Sequence, residues 1–253
     1  MLKSTRQTQI RKLVDRNGHV TVQELNEMLA VSEATIRRDL EALSQMGWVR
    51  RTHGGAVKIE RARKEPAIVQ RQTRFEAEKQ RIGKLAAGLV EPGHTIFLGS
   101  GSTVHEIARH LHEVADLTVI TNSLNVVNEL AGAQNVEMIV IGGMLRQSEQ
   151  SMVGHVAEAA IREFRADMVF MGMRGIDPQH GFTGDYIPET VTDRTIMQIA
   201  PCNVIVADHT KLGRVSTVFL APVTAAHILV TDEDASPAIV EELEALGLTV
   251  KLA

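Results

Sequence analysis

Apolar residues between positions 1 and 45 recur every three or four residues, which is the period of an amphipathic helix. Asn17-Gly18 and Ala30-Val31-Ser32 interrupt this period, so the pattern predicts three helices, the last two joined by a short turn. Thr21-Val22-Gln23-Glu24 is a capping box that opens the second helix, and Ser32 is the expected N-cap of the third. The expected apolar stripes are Ile10, Leu13 and Val14, then Leu25, Met28 and Leu29, then Ile36, Leu40 and Leu43. Two helices joined in this way are typical of a helix-turn-helix.

The pattern changes from helical to strand-like after the third helix. Gly47 is an expected C-cap, and residues 48–52 predict a strand. His53-Gly54-Gly55 then predicts a turn, which gives a small basic hairpin beside the helix. We therefore expect a winged helix-turn-helix over residues 1–57.

The polar face of the third helix is a candidate DNA-reading surface. At about 100° per residue, Ala34, Arg38 and Glu41 point away from the buried stripe. Small residues permit close approach to a major groove, where arginine binds guanine or phosphate. Exposed arginine pairs on helices are more often solvated surface, so this helix alone does not decide the matter. The candidate DNA-contacting residues are Ser32, Thr35, Arg37, Arg38, Arg51 and His53.

From about Phe75, short continuous apolar runs alternate with helical patterns. Such runs indicate parallel strands buried on both faces of a sheet. The expected strands are 95–98, 117–120, 136–141, 168–171, 203–206 and 227–230. Residues 74–253 are therefore expected to form a larger α/β domain with a mainly parallel sheet covered on both faces. Residues 58–73 are charged and poorly periodic, as expected for a linker.

Polar and glycine residues follow several of these strands, at the sheet edge where small molecules bind in α/β proteins. Gly99-Ser100-Gly101-Ser102-Thr103 leads from a strand into a helix, so its amides and hydroxyls could hold a phosphate. The same loop is also compatible with a tight turn, and it lacks the ending of a Walker loop. Further candidates are Asn122, Gly142, Gly143, Arg146, Asp208 and Lys211. Asn122 as a helix cap, Arg146 as a surface residue and Asp208 as a turn cap are the alternatives.

Composition narrows the class of protein. Of 253 residues, 44% are hydrophobic, which supports a packed core rather than disorder. No apolar run reaches the roughly 18–20 residues that a membrane helix needs, and no signal-peptide core is visible, so a cytoplasmic protein is expected. The single cysteine, Cys202, excludes an internal disulfide and a cysteine-rich metal site. We expect a small core residue there, with a redox sensor as the alternative.

Charge is distributed unevenly along the chain. Residues 1–64 contain 13 Lys and Arg against 7 Asp and Glu, a net +6, whereas the remaining residues carry 14 against 24, a net −10. The basic part is the part that is expected to bind DNA, which agrees with attraction to phosphates. A modest charge excess is also compatible with solubility alone.

The N-terminal pattern resembles the DeoR-type bacterial transcriptional regulators. The resemblance rests on Glu24-Leu25, Val31-Ser32, Thr35-Ile36-Arg37-Arg38-Asp39-Leu40, Leu43, Gly47, Arg51 and His53-Gly54-Gly55-Ala56. It extends through the C-terminal part, which is similar to the ribose-5-phosphate isomerase and glucosamine-6-phosphate deaminase fold. The resemblance implies a regulator of sugar metabolism that binds operator DNA as an oligomer and responds to a phosphorylated metabolite.

The resemblance also implies an effector site. Gly101, Ser102 and Thr103 match the family's phosphate loop, but Gly99 stands where the family frequently has an aspartate. Gly99 has no side chain that could make the ligand contacts of this aspartate. Asn122, Gly142-Gly143, Arg146, Asp208, Lys211 and Gly213 match as well. Glu189 matches a glutamate that opens a helix in the family; a favourable first-turn acid is the alternative.

We expect a transcriptional repressor of a carbohydrate-metabolism operon, whose affinity for operator DNA responds to a phosphorylated sugar or polyol. A homo-oligomer, dimer or tetramer, is expected because paired half-sites multiply specificity. The alternative is a sugar-phosphate isomerase or deaminase with an added DNA-binding module, in which Asp208, Glu189 and Lys211 could supply acid–base chemistry. A DNA-binding assembly protein without an effector is a third possibility. No nucleophile elbow, Cys/His couple or metal signature is present, so we expect neither an enzyme nor a cofactor.

Overall fold

The chain folds into two compact units, residues 1–60 and 61–253, in a computed structural model that describes residues 2–58, 60–61 and 66–253. The N-terminal unit contains three helices and a three-stranded antiparallel sheet of order β1-β3-β2. Its elements are α1 (Lys3–Asn17), β1 (His19–Thr21), α2 (Val22–Leu29), α3 (Glu33–Gln45), β2 (Val49–Thr52) and β3 (Gly55–Lys58). This is the expected winged helix-turn-helix, with β1 as an unpredicted third strand. The short strand β4 (Glu60–Arg61) lies at the division between the two units in the chain.

The core of the N-terminal unit is built from the predicted stripes of α1 and α3, with a change in α2. Ile10, Val14, Leu25, Ile36, Leu40 and Leu43 are buried. Met28, however, is 62% exposed, and Val22 takes the expected place in the core. At about 100° per residue, Met28 lies roughly 100° from Leu29 around the helix, so it falls outside the stripe that Val22, Leu25 and Leu29 form.

The larger unit is organised around a seven-stranded parallel sheet of order β17-β16-β13-β10-β5-β6-β7. These strands are β5 (Thr95–Leu98), β6 (Leu117–Thr121), β7 (Val136–Val140), β10 (Met168–Gly172), β13 (Cys202–Val206), β16 (Ile228–Thr231) and β17 (Thr249–Leu252). The helices are α4 (Ile68–Gln72), α5 (Glu76–Ala87), α6 (Ser102–Ala108), α7 (Leu124–Leu130), α8 (His155–Arg162), α9 (Ile187–Ile196) and α10 (Pro237–Ala245). All six predicted strands are present, and β17 extends the sheet.

Both faces of the sheet are covered. Phe97 of β5 lies in one apolar cluster, whereas its neighbours Ile96 and Leu98 lie in another. Successive side chains of a strand point to opposite faces, so the two clusters are the two cores on either side of the sheet. The expected α/β architecture with a parallel, doubly covered sheet is confirmed.

Smaller strands outside the parallel sheet were not predicted. They are β8 (Met144–Arg146), β9 (Ser151–Val153), β11 (Gly175–Asp177), β12 (Gly181–Gly184), β14 (Arg214–Val215) and β15 (Val218–Ala221). β8 pairs with β9, and β12 pairs with both β11 and β15. Two turns of 3-10 helix, His209–Lys211 and Val223–Ala225, complete the unit. Within the described ranges, no helix is both long and apolar enough to cross a membrane.

The stretch expected to be a linker is partly helical. Helix α4 lies within it, and Ile68 is completely buried in the larger unit. The Ile68 amide donates a hydrogen bond to the carbonyl of Ser148 at 2.8 Å, which attaches this helix to the fold. One buried isoleucine among charged residues leaves no period in the sequence, which is why the pattern missed it. Residues 59 and 62–65 of the expected linker lie outside the described residues.

Candidate functional site

The third helix, α3, presents its two arginines to solvent. Arg37 and Arg38 are exposed, while Ile36, Leu40 and Leu43 hold the opposite side of the helix in the core. Arg37 lies 3.6 Å from Glu33 in an exposed pair between successive turns. Arg38 has no ion pair or hydrogen bond with any described residue, so its guanidinium is available to a partner.

The other candidates for DNA contact surround this helix. Ser32 occupies the N-cap position but does not cap a backbone amide; its hydroxyl lies 3.0 Å from that of Thr35. Arg51, on β2, donates to Glu41 of α3 at 2.6 Å and so fastens the wing to the helix. His53 is exposed in the turn between β2 and β3. The structure therefore places all six candidates on α3 or the wing, with Arg51 engaged in an internal pair.

Asp39 is a residue of this helix whose role the sequence analysis missed. Its side chain is 2% exposed and accepts from Arg6 of α1, and from Gln7 at 3.2 Å. Its position three residues after Ile36 and one before Leu40 places it in the buried stripe. A charged residue in that stripe was the available signal. The carboxylate anchors α3 to α1 in the same turn that carries the exposed Arg37 and Arg38.

The candidate phosphate loop lies where β5 meets α6. The amide of Gly99 donates to the carbonyl of Phe170 at 2.9 Å, and Gly101 occupies the N-cap position with φ of +139°, which favours glycine. Ser102 and Thr103 follow in the first turn and are largely buried. Their hydroxyls form no hydrogen bond within the described part of the chain. The first amides of a helix also have no intrahelical acceptor, so this loop offers a group of donors to an anion.

Two buried polar groups without partners lie beside this loop. The neighbouring strand β6 ends at Thr121, whose hydroxyl donates to the carbonyl of Leu98 at 2.7 Å. Asn122 and Ser123 come next and are only 2% and 1% exposed. The amide nitrogen of Asn122 donates to Met152 at 2.9 Å, but its oxygen Oδ1 and the Ser123 hydroxyl have no partner in the described structure. An unsatisfied buried polar group costs about 1–3 kcal/mol, so both atoms are candidates for hydrogen bonds to a ligand or a buried water.

Arg146 and Glu189 are brought together, but as partners of each other. Arg146 of β8 pairs with Glu189 of α9 and with Asp185 at 3.2 Å. Its guanidinium carbon also lies 4.5 Å from the centroid of the Tyr186 ring. The hydroxyl of Ser151 donates to Glu189 at 3.2 Å. Arg146 was expected to be a cation for a phosphate, whereas here its charge is already matched by two carboxylates.

The remaining candidates have visible structural roles. Asp208, 3% exposed, accepts from the amide of Thr210 at 3.1 Å and from its hydroxyl, so it caps the turn that contains Lys211. Gly142 has open space around it. Gly143 has φ of +152°, and a Cβ there would lie 3.0 Å from the carbonyl of Val153. The turn-cap alternative for Asp208 is therefore what the structure shows, and Gly143 is required by local backbone geometry.

A network of buried charges extends from Glu189. Arg174 lies 2.5 Å from Glu149, which also pairs with Arg71. Burial raises the pKa of Glu189, and the nearby Arg146 and Arg174 oppose this rise. Burial, together with the charge of Glu189 one turn earlier in α9, raises the pKa of Asp193 well above its usual value.

One further cluster could hold a metal ion among the described residues. It consists of His209, Asp232 and Asp234, whose candidate ligand atoms lie within 4.8 Å of one another. The Nδ1 atom of His209 is already 2.7 Å from Asp232, and the His209 amide donates to the same carboxylate at 2.7 Å. These hydrogen bonds account for the buried Asp232 without a metal.

Comparison with known proteins agrees with these features. Residues 6–62 match the DeoR-like helix-turn-helix domain, and residues 74–233 match the DeoR C-terminal sensor domain. The chain is 35% identical to the HTH-type transcriptional regulator GolR of Listeria innocua, over 100% of both chains. It is 32% identical to the glycerol-3-phosphate regulon repressor of Escherichia coli K12, over 92% of each chain. Among solved structures, ribose 5-phosphate isomerase A from Methanocaldococcus jannaschii is similar over 55% of each chain, at 19% identity and a TM-score of 0.41. The resemblance seen in the sequence is thereby confirmed: the chain belongs to the DeoR family of transcriptional regulators and is a DNA-binding regulator rather than an enzyme.

Proposed function

We propose that this regulator represses a carbohydrate-metabolism operon, and that a phosphorylated sugar or polyol bound in the larger unit changes its affinity for operator DNA. The proposal rests chiefly on the unpartnered Oδ1 of Asn122 and hydroxyl of Ser123 beside the Gly101 loop. The loop supplies donors for a phosphate, and the two buried groups supply an acceptor and a hydroxyl for the sugar. A relative named as a glycerol-3-phosphate regulon repressor supports a phosphorylated effector.

The DNA-binding surface of the proposal is the exposed face of α3. Arg38 is its central residue because the guanidinium is exposed and has no partner among the described residues, while the helix behind it is fixed by the core. Thr35 and Arg37 flank it, and the turn with His53 extends the surface. We propose that the protein binds as a homo-oligomer, because one winged module spans few base pairs and paired half-sites add specificity.

The DNA half is tested by operator binding of Arg38→Ala. With a duplex that the protein itself selects from random DNA, we expect a loss of about 1–3 kcal/mol, roughly 5- to 150-fold in affinity. Lys12→Ala, which removes one exposed positive charge from α1, is the matched control and should have a much smaller effect. Equal affinity of Arg38→Ala and the unaltered protein would remove Arg38 from the interface.

The effector half is tested by Thr103→Glu. A carboxylate in the loop should repel a phosphate, so calorimetry with the compound that stabilises the unaltered protein should show at least a tenfold loss of affinity, about 1.4 kcal/mol. Thr249→Glu places the same charge on an exposed position of β17 and should bind normally. Normal binding by Thr103→Glu would exclude the loop from the site.

A further inference from the structure

The turn of residues 147–150, between β8 and β9, is contacted from two sides. On one side, the residues that flank it, Arg146 and Ser151, both bind the carboxylate of Glu189. Glu189 is the candidate effector residue on α9. The turn is therefore attached at both of its ends to the predicted site.

On the other side, the turn itself holds helix α4. The carbonyl of Ser148 accepts the Ile68 amide at 2.8 Å, and Glu149, 3% exposed, pairs with Arg71. Arg174 lies 2.5 Å from the second oxygen of Glu149, so that carboxylate is bound on both sides. Two independent bonds, one at each end of α4, thus fix this helix to the turn.

Helix α4 also has a distinctive place in the chain. It is the first helix of the unit of residues 61–253, and the segment before it leads to the DNA-binding unit. Arg71, in the last turn of α4, donates to the carbonyl of Pro66 at 3.1 Å, two residues before the helix begins. Buried Lys79 donates to the carbonyls of Arg71 and Arg74 and so fixes the region after it. Helix α4 is therefore held at both ends by the larger unit and is the described helix nearest in sequence to residues 1–60.

We propose that the turn of residues 147–150 is the relay by which a ligand at Glu189 acts on DNA binding. This inference rests on the proposed function and specifies its regulation. A ligand hydroxyl that binds Glu189 competes with Arg146 and Ser151 for the same carboxylate. Arg146 then loses one of its two carboxylate partners and keeps Asp185, so its guanidinium moves towards Asp185 and the turn shifts with it. The shift changes the bonds of Ser148 and Glu149 to α4. Packed elements with two discrete arrangements are the usual carriers of such coupling.

The relay can be tested without a ligand by hydrogen exchange of the full chain, followed by mass spectrometry. Glu189→Gln and the milder Ser151→Ala weaken the contact at the site, and Glu163→Gln, an exposed position after α8, is the matched control. We expect peptides covering residues 66–72 to exchange at least about threefold faster in both site variants and to be unchanged in the control. Unchanged exchange at residues 66–72 alongside faster exchange at 146–151 would overturn the relay. If Glu189→Gln does not fold, Ser151→Ala alone decides.

A second measurement tests the regulatory role, with glycerol 3-phosphate as the probe. Arg71→Gln removes the ion pair between α4 and Glu149 and leaves the pair of Glu149 with Arg174 in place. We expect its affinity for the probe to stay within about twofold of the unaltered protein, while the response of operator affinity to the probe falls at least fivefold. An equal response in both proteins would overturn the relay. An unaltered protein that neither binds the probe nor responds to it would exclude glycerol 3-phosphate as the effector, and the exchange experiment would then decide the relay by itself.

Discussion

Removal of the Asp39 carboxylate should destabilise the DNA-binding unit strongly. The side chains of Asp39 and Arg6 are 2% and 11% exposed, so Asp39→Ala leaves a mostly buried guanidinium without its partner. It also removes the acceptor of Gln7. Breaking a buried ion pair on one side costs about 3–5 kcal/mol, and we expect a loss of unfolding free energy in that range. Operator affinity should fall as well, because Arg37 and Arg38 lie beside Asp39 in the same turn of α3.

The assay follows from the position of the single tryptophan. Trp48 lies in the N-terminal unit, 37% exposed, and the guanidinium carbon of Arg11 is 3.5 Å from its ring centroid. Urea unfolding followed by tryptophan fluorescence therefore reports on this unit rather than on residues 61–253. The matched control is Glu33→Gln, which breaks the exposed pair with Arg37 and should cost at most about 1 kcal/mol.

A double variant separates the pair from its surroundings. Replacing both Asp39 and Arg6 by leucine removes both charges, so it should cost clearly less than Asp39→Ala alone. Two results would refute this reasoning: a loss below about 1 kcal/mol for Asp39→Ala, or a loss no larger than that of Glu33→Gln. Either one would mean that solvent or another group satisfies Arg6 when the carboxylate is gone.

Three further predictions concern the rest of the molecule. In Gly55→Ala, the new Cβ would lie 2.0 Å from the carbonyl oxygen of Val20, so β3 must move away from β1. Urea unfolding should show that the free energy of unfolding falls by at least about 2 kcal/mol. The pKa of Asp193 is raised in the folded protein, so as pH rises from about 4 towards neutrality the unfolded chain releases this proton first and the free energy of unfolding falls. Asp193→Asn removes the titrating group. The melting temperatures measured at about pH 5 and pH 8 should therefore differ less in this variant than in the unaltered protein. The logarithm of operator affinity should decrease linearly with the logarithm of salt concentration. If Arg38 contacts a phosphate, Arg38→Ala should reduce the magnitude of that slope by up to about 1. An unchanged slope together with a reduced affinity indicates that Arg38 contacts a base.

The fold was predictable where the sequence contains long or repeated patterns. Six continuous apolar runs located six strands of the parallel sheet, because a strand buried on both faces must be apolar throughout. The helices of the winged module followed from their stripes and from the capping box at Thr21, which the structure contains in full. Strands such as β8 and β9, three residues each, are too short to show an alternation, so they escaped prediction.

The candidate site was predictable as a set of positions but not as a set of contacts. The Gly101 loop could be placed at a helix start because the strand, glycine and hydroxyl residues are adjacent in the chain. The pairing of Arg146 with Glu189 joins residues 43 positions apart, and no local pattern encodes it. Asp39 shows the intermediate case: its position in an apolar stripe predicts burial, whereas its partner Arg6, 33 positions away, is visible only in the fold.

Control of DNA binding by a phosphorylated ligand is tested by operator binding in fluorescence anisotropy, with and without the phosphorylated sugar or polyol that raises the melting temperature of the protein. We expect the dissociation constant for the selected duplex to change by at least about fivefold with the phosphorylated compound and not with its unphosphorylated parent. Thr103→Glu should bind the same duplex but show no response to the compound. An operator affinity that no phosphorylated compound changes, or a response that survives in Thr103→Glu, would contradict the central claim that a phosphorylated ligand at this loop controls DNA binding.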